Sequence, residues 1–471
     1  MERNVEASIE KTNGTNEKKI GTLRLFGIMF ACIVGGAYGA EPLISAAGPL
    51  VGLGVIILGS LVIMLPLCLV TAELSTTLPC EGACVTWSVD SFRPLEGFFT
   101  PFIILISISD SFIDNAVYPA LFVGYLEGLV GMDAIWSYVI KIVVVFVSTV
   151  VNIIGVKTLG TVSLVISIFT TLPFCVFCVA SFPSFSVDSV SRLLESLPAN
   201  KVNYSVLFSV LFWLINGVDA AGNISSAAKP HSFPRALTLL SISASLSYVI
   251  PLACGVLVDP NWAQWEDGSF VTISRLFEWE WARKSIPIMM GVGGVMSSFG
   301  TLVTLHGTTS RLLFGASQIE SKNKVVQKVC AILGHENKRF KTPDLAIIGM
   351  ALVFGSFSLV MDFEELVGVS STLYSIQALV VIAEFVLLRV RYPHITRPYK
   401  MFSLPVALFC LTPLTMFCCC CLVFGMMTDL TSLIVSGVLL NAILLLSLSY
   451  FLFSKSRFVS HVVISQEITT L

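Results

Sequence analysis

Charge is what this sequence has least of: 12% of its 471 residues are Asp, Glu, Lys or Arg, against 55% that are hydrophobic. Soluble globular chains carry roughly 25% charged residues, and a chain with a mean hydropathy of +0.87 cannot cover a water-facing surface. A basic excess is missing too. The formal net charge is −2, which leaves no phosphate-neutralising face of the kind nucleic-acid binding requires. Residues Met1 to Ile20 are polar and of mixed charge. They lack the apolar core and small-residue cleavage site of a secretory leader, so this end is expected to be retained. No nucleophile motif, metal-ligand cluster or phosphate loop stands out, which makes an enzyme the weakest reading and predicts no cofactor or metal. Cysteine is plentiful, at 13, but most of it lies in apolar runs such as Cys418 to Cys421. A thiol there behaves as a small hydrophobe rather than as part of a disulfide framework, with palmitoylation or thiol sensing as the alternative.

Long apolar runs are what the chain has instead. A hydrocarbon core about 30 Å thick needs roughly 20 apolar residues per helical crossing. Twelve runs qualify, near residues 22–47, 49–74, 95–126, 133–155, 157–181, 203–227, 234–258, 284–318, 343–361, 364–390, 404–428 and 431–454. The expected fold class is therefore an all-α membrane protein of about twelve transmembrane helices. It forms one domain over 22–454, with short tails at 1–21 and 455–471. Basic residues orient it, because cytoplasmic flanks retain positive charge. With the N-terminus inside, 22 of the 28 Lys and Arg fall on that side and 6 on the other, so both termini are expected in the cytoplasm. The longest outside loop, Asp259 to Lys284, carries Trp262, Trp265, Trp279 and Trp281, which fit an interfacial anchor.

Two runs are interrupted at mid-membrane depth. Run 1 reads Gly35-Gly36-Ala37-Tyr38-Gly39-Ala40-Glu41-Pro42, and run 6 reads Trp213-Leu214-Ile215-Asn216-Gly217-Val218-Asp219 before Gly222 and Asn223. A break in lipid is tolerated only where it lines a cavity or is buried in protein. A dinucleotide loop would need a preceding strand and a water-exposed βαβ unit, which this context denies. Paired interruptions at matching places in two halves point to the central site of an inverted-repeat transporter. Two incidental kinks packed against neighbouring helices are the plainer alternative.

Acidic residues inside a membrane mark a pathway or a binding site by default. Glu41 follows the first break, Asp110 and Asp114 share one face of run 3, and Asp219 sits in the second break. No Lys or Arg lies at comparable depth, so the Asp110–Asp114 pair calls for a cation, either a substrate or a coupling proton, unless one member is already protonated. Either residue alternatively lies near the outer mouth, solvated and incidental. Glu41 either occupies the dipole end of a half-helix beginning near Pro42, leaning the site toward amines, or simply caps it. On run 8, Ser297, Ser298, Gly300, Thr304 and His306 are candidates for a coupling cation, against a packing role for the small residues and a hydrogen-bonded role for the histidine. Glu384 on run 10 is expected to pair with Arg389.

The sequence resembles the amino acid–polyamine–organocation transporters, and among them the plant and trypanosomatid polyamine and amino-acid permeases, over nearly its whole length. The resemblance rests on Gly35 to Pro42 with Ala46-Ala47-Gly48-Pro49, on Thr71-Ala72-Glu73-Leu74-Ser75-Thr76, and on Tyr118-Pro119. It continues through Phe212-Trp213 with Asn216 and Asp219, Phe233-Pro234-Arg235-Ala236-Leu237, Thr342-Pro343, and Arg391-Tyr392-Pro393 with Arg397-Pro398-Tyr399. It implies a five-plus-five inverted repeat, over about 22–181 and 203–390, followed by two extra helices at about 404–454. It also implies alternating access, commonly proton-driven, and a substrate site at the two breaks. Gly35, Gly36, Gly39, Glu41, Asn216 and Asp219 carry over as substrate-site residues, joined by Asp114. Asp110, Tyr118, Trp213, Ser297 and His306 are additional candidates. Two departures stand against the pattern. Gly217 and Val218 replace an aromatic gate beside the run-6 aspartate, and Ser226-Ala227 replaces a Gly-Glu pair at the end of that run.

The expected function is a secondary carrier of polyamines or cationic amino acids, with a coupling proton, in the plasma membrane. Its partners are the small-molecule substrate and the bilayer. A neutral amino-acid permease or exchanger is the runner-up, and a non-cycling nutrient sensor or a channel the different class.

Overall fold

Backbone N–H and C=O groups in lipid must find partners inside the protein, which confines spanning segments to helices or closed barrels. The computed structural model describes residues 21–79, 83–92, 96–154, 169–229, 231–317 and 324–454, and no strand occurs among them. Both tails and 157–168 of the fifth run lie outside the described residues, as do Arg93 and Lys157.

Among the described residues, nine helices are long and apolar enough to cross a membrane. Labelled in chain order together with the shorter ones, the helices are α1 (Thr22–Met29) and α2 (Pro42–Ala47) of the interrupted first run, α3 (Pro49–Thr77), α4 (Ala83–Ser91), α5 (Glu96–Val130) and α6 (Ala134–Ile154). Next come α7 (Phe169–Ala180), a shorter apolar helix, then α8 (Tyr204–Ile215), α9 (Ser232–Val258), α10 (Glu280–Ser317) and α11 (Lys324–Leu333). The chain continues with α12 (Asp344–Val360), also short, α13 (Phe363–Arg391), α14 (Leu404–Met426) and α15 (Leu430–Ser454). The sequence reading did not anticipate α4 or α11.

Burial sorts these helices by position. In the segment Tyr204–Asn223, 78% of the apolar window is buried inside the protein, against 17% for α6 and 22% for Leu430–Leu452. Run 6 is therefore central, whereas α6 and α15 turn Ile142, Phe146, Leu445 and Leu446 outward, as a lipid-facing surface requires. Helix α5 packs against α10, α13 and α15 and forms the spine of the bundle.

Both expected breaks are present. In run 1, α1 widens into a π-helical turn, Phe30–Val34, and then stops at Gly35, whose φ of +56° is a left-handed conformation that side chains rarely adopt. The chain restarts at Pro42, the first residue of α2, where a missing N–H costs nothing. In run 6, α8 ends at an extended Asn216, Gly217 takes φ +75°, and a 3₁₀ segment, Val218–Ala227, follows.

One end of the bundle, here termed the far face, is roofed by the connections at 182–203 and 259–279. The Leu50 N–H donates to the Glu195 carbonyl (2.9 Å), Leu197 to Ala47 (3.0 Å) and Asn203 to Ala46 (2.9 Å), so backbone left open beyond the first break is satisfied by the roof. Here the tryptophan expectation is half corrected. Trp262 and Trp265 are buried, donating to Glu195 and Asp259 at 2.8 Å each. Trp279 and Trp281 are exposed and stacked, as an interfacial pair would be.

At the opposite, near face, Arg389 does not pair with Glu384 as expected. It grips Glu73 of α3 through two bonds of 2.8 and 2.5 Å. Arg397 adds a third contact at 3.3 Å, and the Met401 N–H donates to the same carboxylate at 2.7 Å. Among the described residues Arg389 is the only buried Lys or Arg.

Candidate functional site

A cleft opens between the two breaks, lined by Ile33, Val34 and Gly35 of run 1, Trp213 and Leu214 of α8, Tyr118 of α5, Tyr248 of α9, and Ser297 and Thr301 of α10. The elements meet there because each break exposes carbonyls that a helix would have used. One hydroxyl serves both: Tyr248 lies 3.1 Å from the Val34 carbonyl and 3.0 Å from that of Leu214. Ser297 Oγ donates to the Gly35 carbonyl, and a Cβ on Gly35 would sit 3.1 Å from that hydroxyl oxygen. Gly39 is confined from the other side, with Trp213 at 3.1 Å and Phe363 at 3.2 Å from where its Cβ would stand.

Trp213 brings an aromatic ring to the cleft. Its ring stands edge-on to Phe363 at 5.4 Å and tilted over Tyr118 at 6.1 Å. Its indole donates to Asp114 behind it, so one side chain links the cleft to the acidic residues. Tyr38 packs edge-on against Tyr125 at 5.0 Å, and its hydroxyl is buried without a partner. The cleft thus offers aromatic faces and carbonyl or carboxylate oxygens. Aromatic faces attract cations, ammonium groups included.

Asp110, Asp114 and Asp219 are all buried and close enough to interact electrostatically, which overturns the alternative that either α5 aspartate is solvated at a mouth. They differ in what holds them. Asp219 accepts from the Tyr374 hydroxyl at 2.6 Å and from Gln377 Nε2 at 2.5 Å. Asp110 accepts a long bond from Ser370, 3.4 Å. Asp114 keeps one oxygen, Oδ1, buried and with no partner.

Glu41 occupies a separate place. It precedes α2, but its side chain does not cap that helix. It reaches instead to the Tyr125 hydroxyl (2.8 Å) and the Phe270 N–H (3.5 Å), with Oε2 left unpartnered. Above it on the far face lies half-buried Asp267, which interacts with Glu41 and with Glu364, Glu266 and Asp362. Burial pushes Asp267 up to about 6, and the charge of Glu364 adds to the rise. A vestibule with this many carboxylates concentrates cations.

Of the predicted residues, Gly35, Tyr118, Trp213 and Ser297 line the cleft. Gly39 abuts Trp213, and Gly36 packs on Phe174. Asn216 ends α8 at the second break. His306 lies elsewhere, its Nε2 2.9 Å from the Ile347 carbonyl and its Nδ1 3.1 Å from Ser148. With a carbonyl facing Nε2, the proton sits there and Nδ1 accepts, a packed histidine among α6, α10 and α12. The sequence reading missed Tyr125, Tyr248, Tyr374 and Gln377. Their one signal is a hydroxyl or amide inside an apolar run, which alone does not distinguish a site from packing.

An amino acid permease family model matches residues 20–454. Curated relatives include a polyamine transporter of Arabidopsis thaliana, 27% identical over 442 residues that cover 91% of this chain and 84% of that protein. A probable polyamine transporter of the same plant is 28% identical over 424 residues, covering 87% of this chain and 84% of its own. A polyamine transporter of Oryza sativa subsp. japonica is 27% identical over 395 residues, covering 82% of this chain and 70% of that one.

Proposed function

The chain belongs to the amino acid permease family and is a membrane transporter rather than an enzyme, and on that premise we propose that it carries polyamines or cationic amino acids by proton-linked alternating access. One observation carries the substrate class: Asp110, Asp114 and Asp219 sit together in the protein's centre, and the one buried Arg or Lys among the described residues is committed to Glu73. Buried carboxylates without a basic partner favour a cationic ligand. The polyamine transporters among the relatives agree with that choice.

In this reading one ammonium of the substrate lies against Trp213 and Tyr118 and pairs with Asp114, while the Gly35 carbonyl accepts a further N–H. Glu41 and the acidic vestibule receive the other end of a long dication. The breaks at Gly35 to Gly39 and at Gly217 act as hinges, because glycine crosses φ values closed to other residues. The two halves, 22–181 and 203–390, rock against each other with 404–454 alongside, both termini facing the cytoplasm of a plasma-membrane protein. One observation favours the neutral amino-acid alternative: Asp219 already has two donors of its own.

Uptake of radiolabelled putrescine and arginine into proteoliposomes, with and without an inward proton gradient, tests the proposal. Saturable uptake of either cation, raised by the gradient, is expected. Binding without gradient-sensitive flux would sink the carrier reading in favour of a sensor.

A further inference from the structure

Glu384 lies on α13, seven residues beyond Gln377, which at 1.5 Å per residue is about 10 Å closer to the near face. It is fully buried, and neither carboxyl oxygen has a hydrogen-bond partner. Of the groups described, those that interact with it electrostatically are Asp219 on the 3₁₀ segment and Cys84 on α4, and neither is a cation. Other acids and thiols lie on the elements packed on α13, buried Asp90 of α4 among them. Glu73 of α3 faces Arg389, Asp114 of α5 faces Trp213, Asp110 faces Ser370, and Cys421 of α14 faces the Phe208 carbonyl. Between Asp219 and Glu384, Gln377 gives its N–H to the aspartate and leaves its own oxygen buried and unpartnered.

We propose that Glu384 is the carboxyl that carries the coupling proton of this transporter, an inference that rests on the proton-linked reading above and names its residue. An anionic carboxylate with no donor and no cation is far costlier to bury than the neutral acid, so Glu384 enters this closed arrangement loaded. Two carboxyls in one low-dielectric site do not both ionise readily. A proton on Glu384 leaves Asp219 free to hold its charge, with Tyr374 and Gln377 as donors, and a charged Asp219 favours an ammonium nearby. Proton and amine are then loaded in the same state, the linkage a symporter requires. Loading forms one O–H bond at Glu384 from a proton of the outer water. Release breaks it to water on the other side, when the near-face half opens.

The test uses the purified full-length chain in liposomes containing a pH-reporting dye. Wild type is expected to take up radiolabelled putrescine by counterflow at equal pH, to accumulate it under an inward proton gradient, and to admit protons with it. In Glu384→Gln, which mimics the protonated acid, counterflow persists while gradient-driven accumulation falls by tenfold or more and the dye records no putrescine-linked proton entry. Glu384→Asp restores both. Wild-type accumulation and proton entry in Glu384→Gln would overturn the assignment, as would loss of counterflow along with gradient drive in both variants. A wild type that ignores the gradient but performs counterflow would instead sink proton coupling itself, and this assignment with it.

Discussion

Glu73 and Glu384 are both buried glutamates toward the near face, and the chain treats them in opposite ways. Glu73 is met by two guanidinium groups and a backbone N–H, and Arg389 is further held by the carbonyls of Met401 and Phe402 and by the ring of Phe385. The carboxylate there is fully met by donors and positive charge, and the cluster ties the end of α3 to the segment following α13. Glu384, Asp114 Oδ1, Glu41 Oε2 and Gln377 Oε1 have no such complement. A buried charge satisfied by the chain holds structure together. One left unsatisfied fits something the chain does not itself supply, which is why the central acids and not the near-face cluster carry the functional argument.

The sharpest way to break this comparison is Glu73→Gln. It strands Arg389 in the interior, and removing one partner of a buried pair costs about 3–5 kcal/mol. The unfolding temperature in detergent should fall steeply; an unchanged value would erase the distinction between the two regions. Asp114→Asn should act on the other region, lowering putrescine uptake roughly 100-fold, about 2.8 kcal/mol at 1.4 per decade. Its unfolding temperature should hold, because an amide oxygen still accepts from Trp213. Asp219→Asn should also abolish uptake but lose about 1–3 kcal/mol of stability, since one amide oxygen cannot serve both Tyr374 and Gln377. Wild-type uptake in both variants would show that the central acids are not the site.

The smallest effect lies in the vestibule. Asp267 is raised to about 6 by burial, then by Glu364, so between its unfolded value near 3.8 and pH 6 the folded chain binds more protons than the unfolded one. Stability is therefore lost as pH rises through that window and is lowest above it. Asp267→Asn should raise the unfolding temperature slightly at about pH 7.5 and change it little near pH 4. An equal shift at both would mean that charge is not the cause.

The interruptions were legible because Gly35, Gly36, Gly39, Pro42 and Gly217 are local signals: glycine and proline act on their own backbone wherever they stand. The partners of the acids were not. Glu384 and Arg389 look close in sequence, yet five residues at 100° each place them about 140° apart around a helix. Arg389 finds Glu73 across 316 residues of chain instead. Tyr125, Tyr248 and Tyr374 were overlooked for the same reason, each bonding to a residue at least 34 positions away. His306, by sequence a candidate for a coupling cation, has both ring nitrogens taken by Ser148 and the Ile347 carbonyl.

By itself the sequence determined that this chain lives in a bilayer, that it is helical there, and where two of its helices give way. Those outcomes follow from hydropathy and backbone chemistry, which each short stretch carries within itself. Only the tertiary structure decided which buried acids are neutralised and which stand open. A hydrogen bond or ion pair needs its two halves within about 3 Å, and no single stretch of sequence contains both.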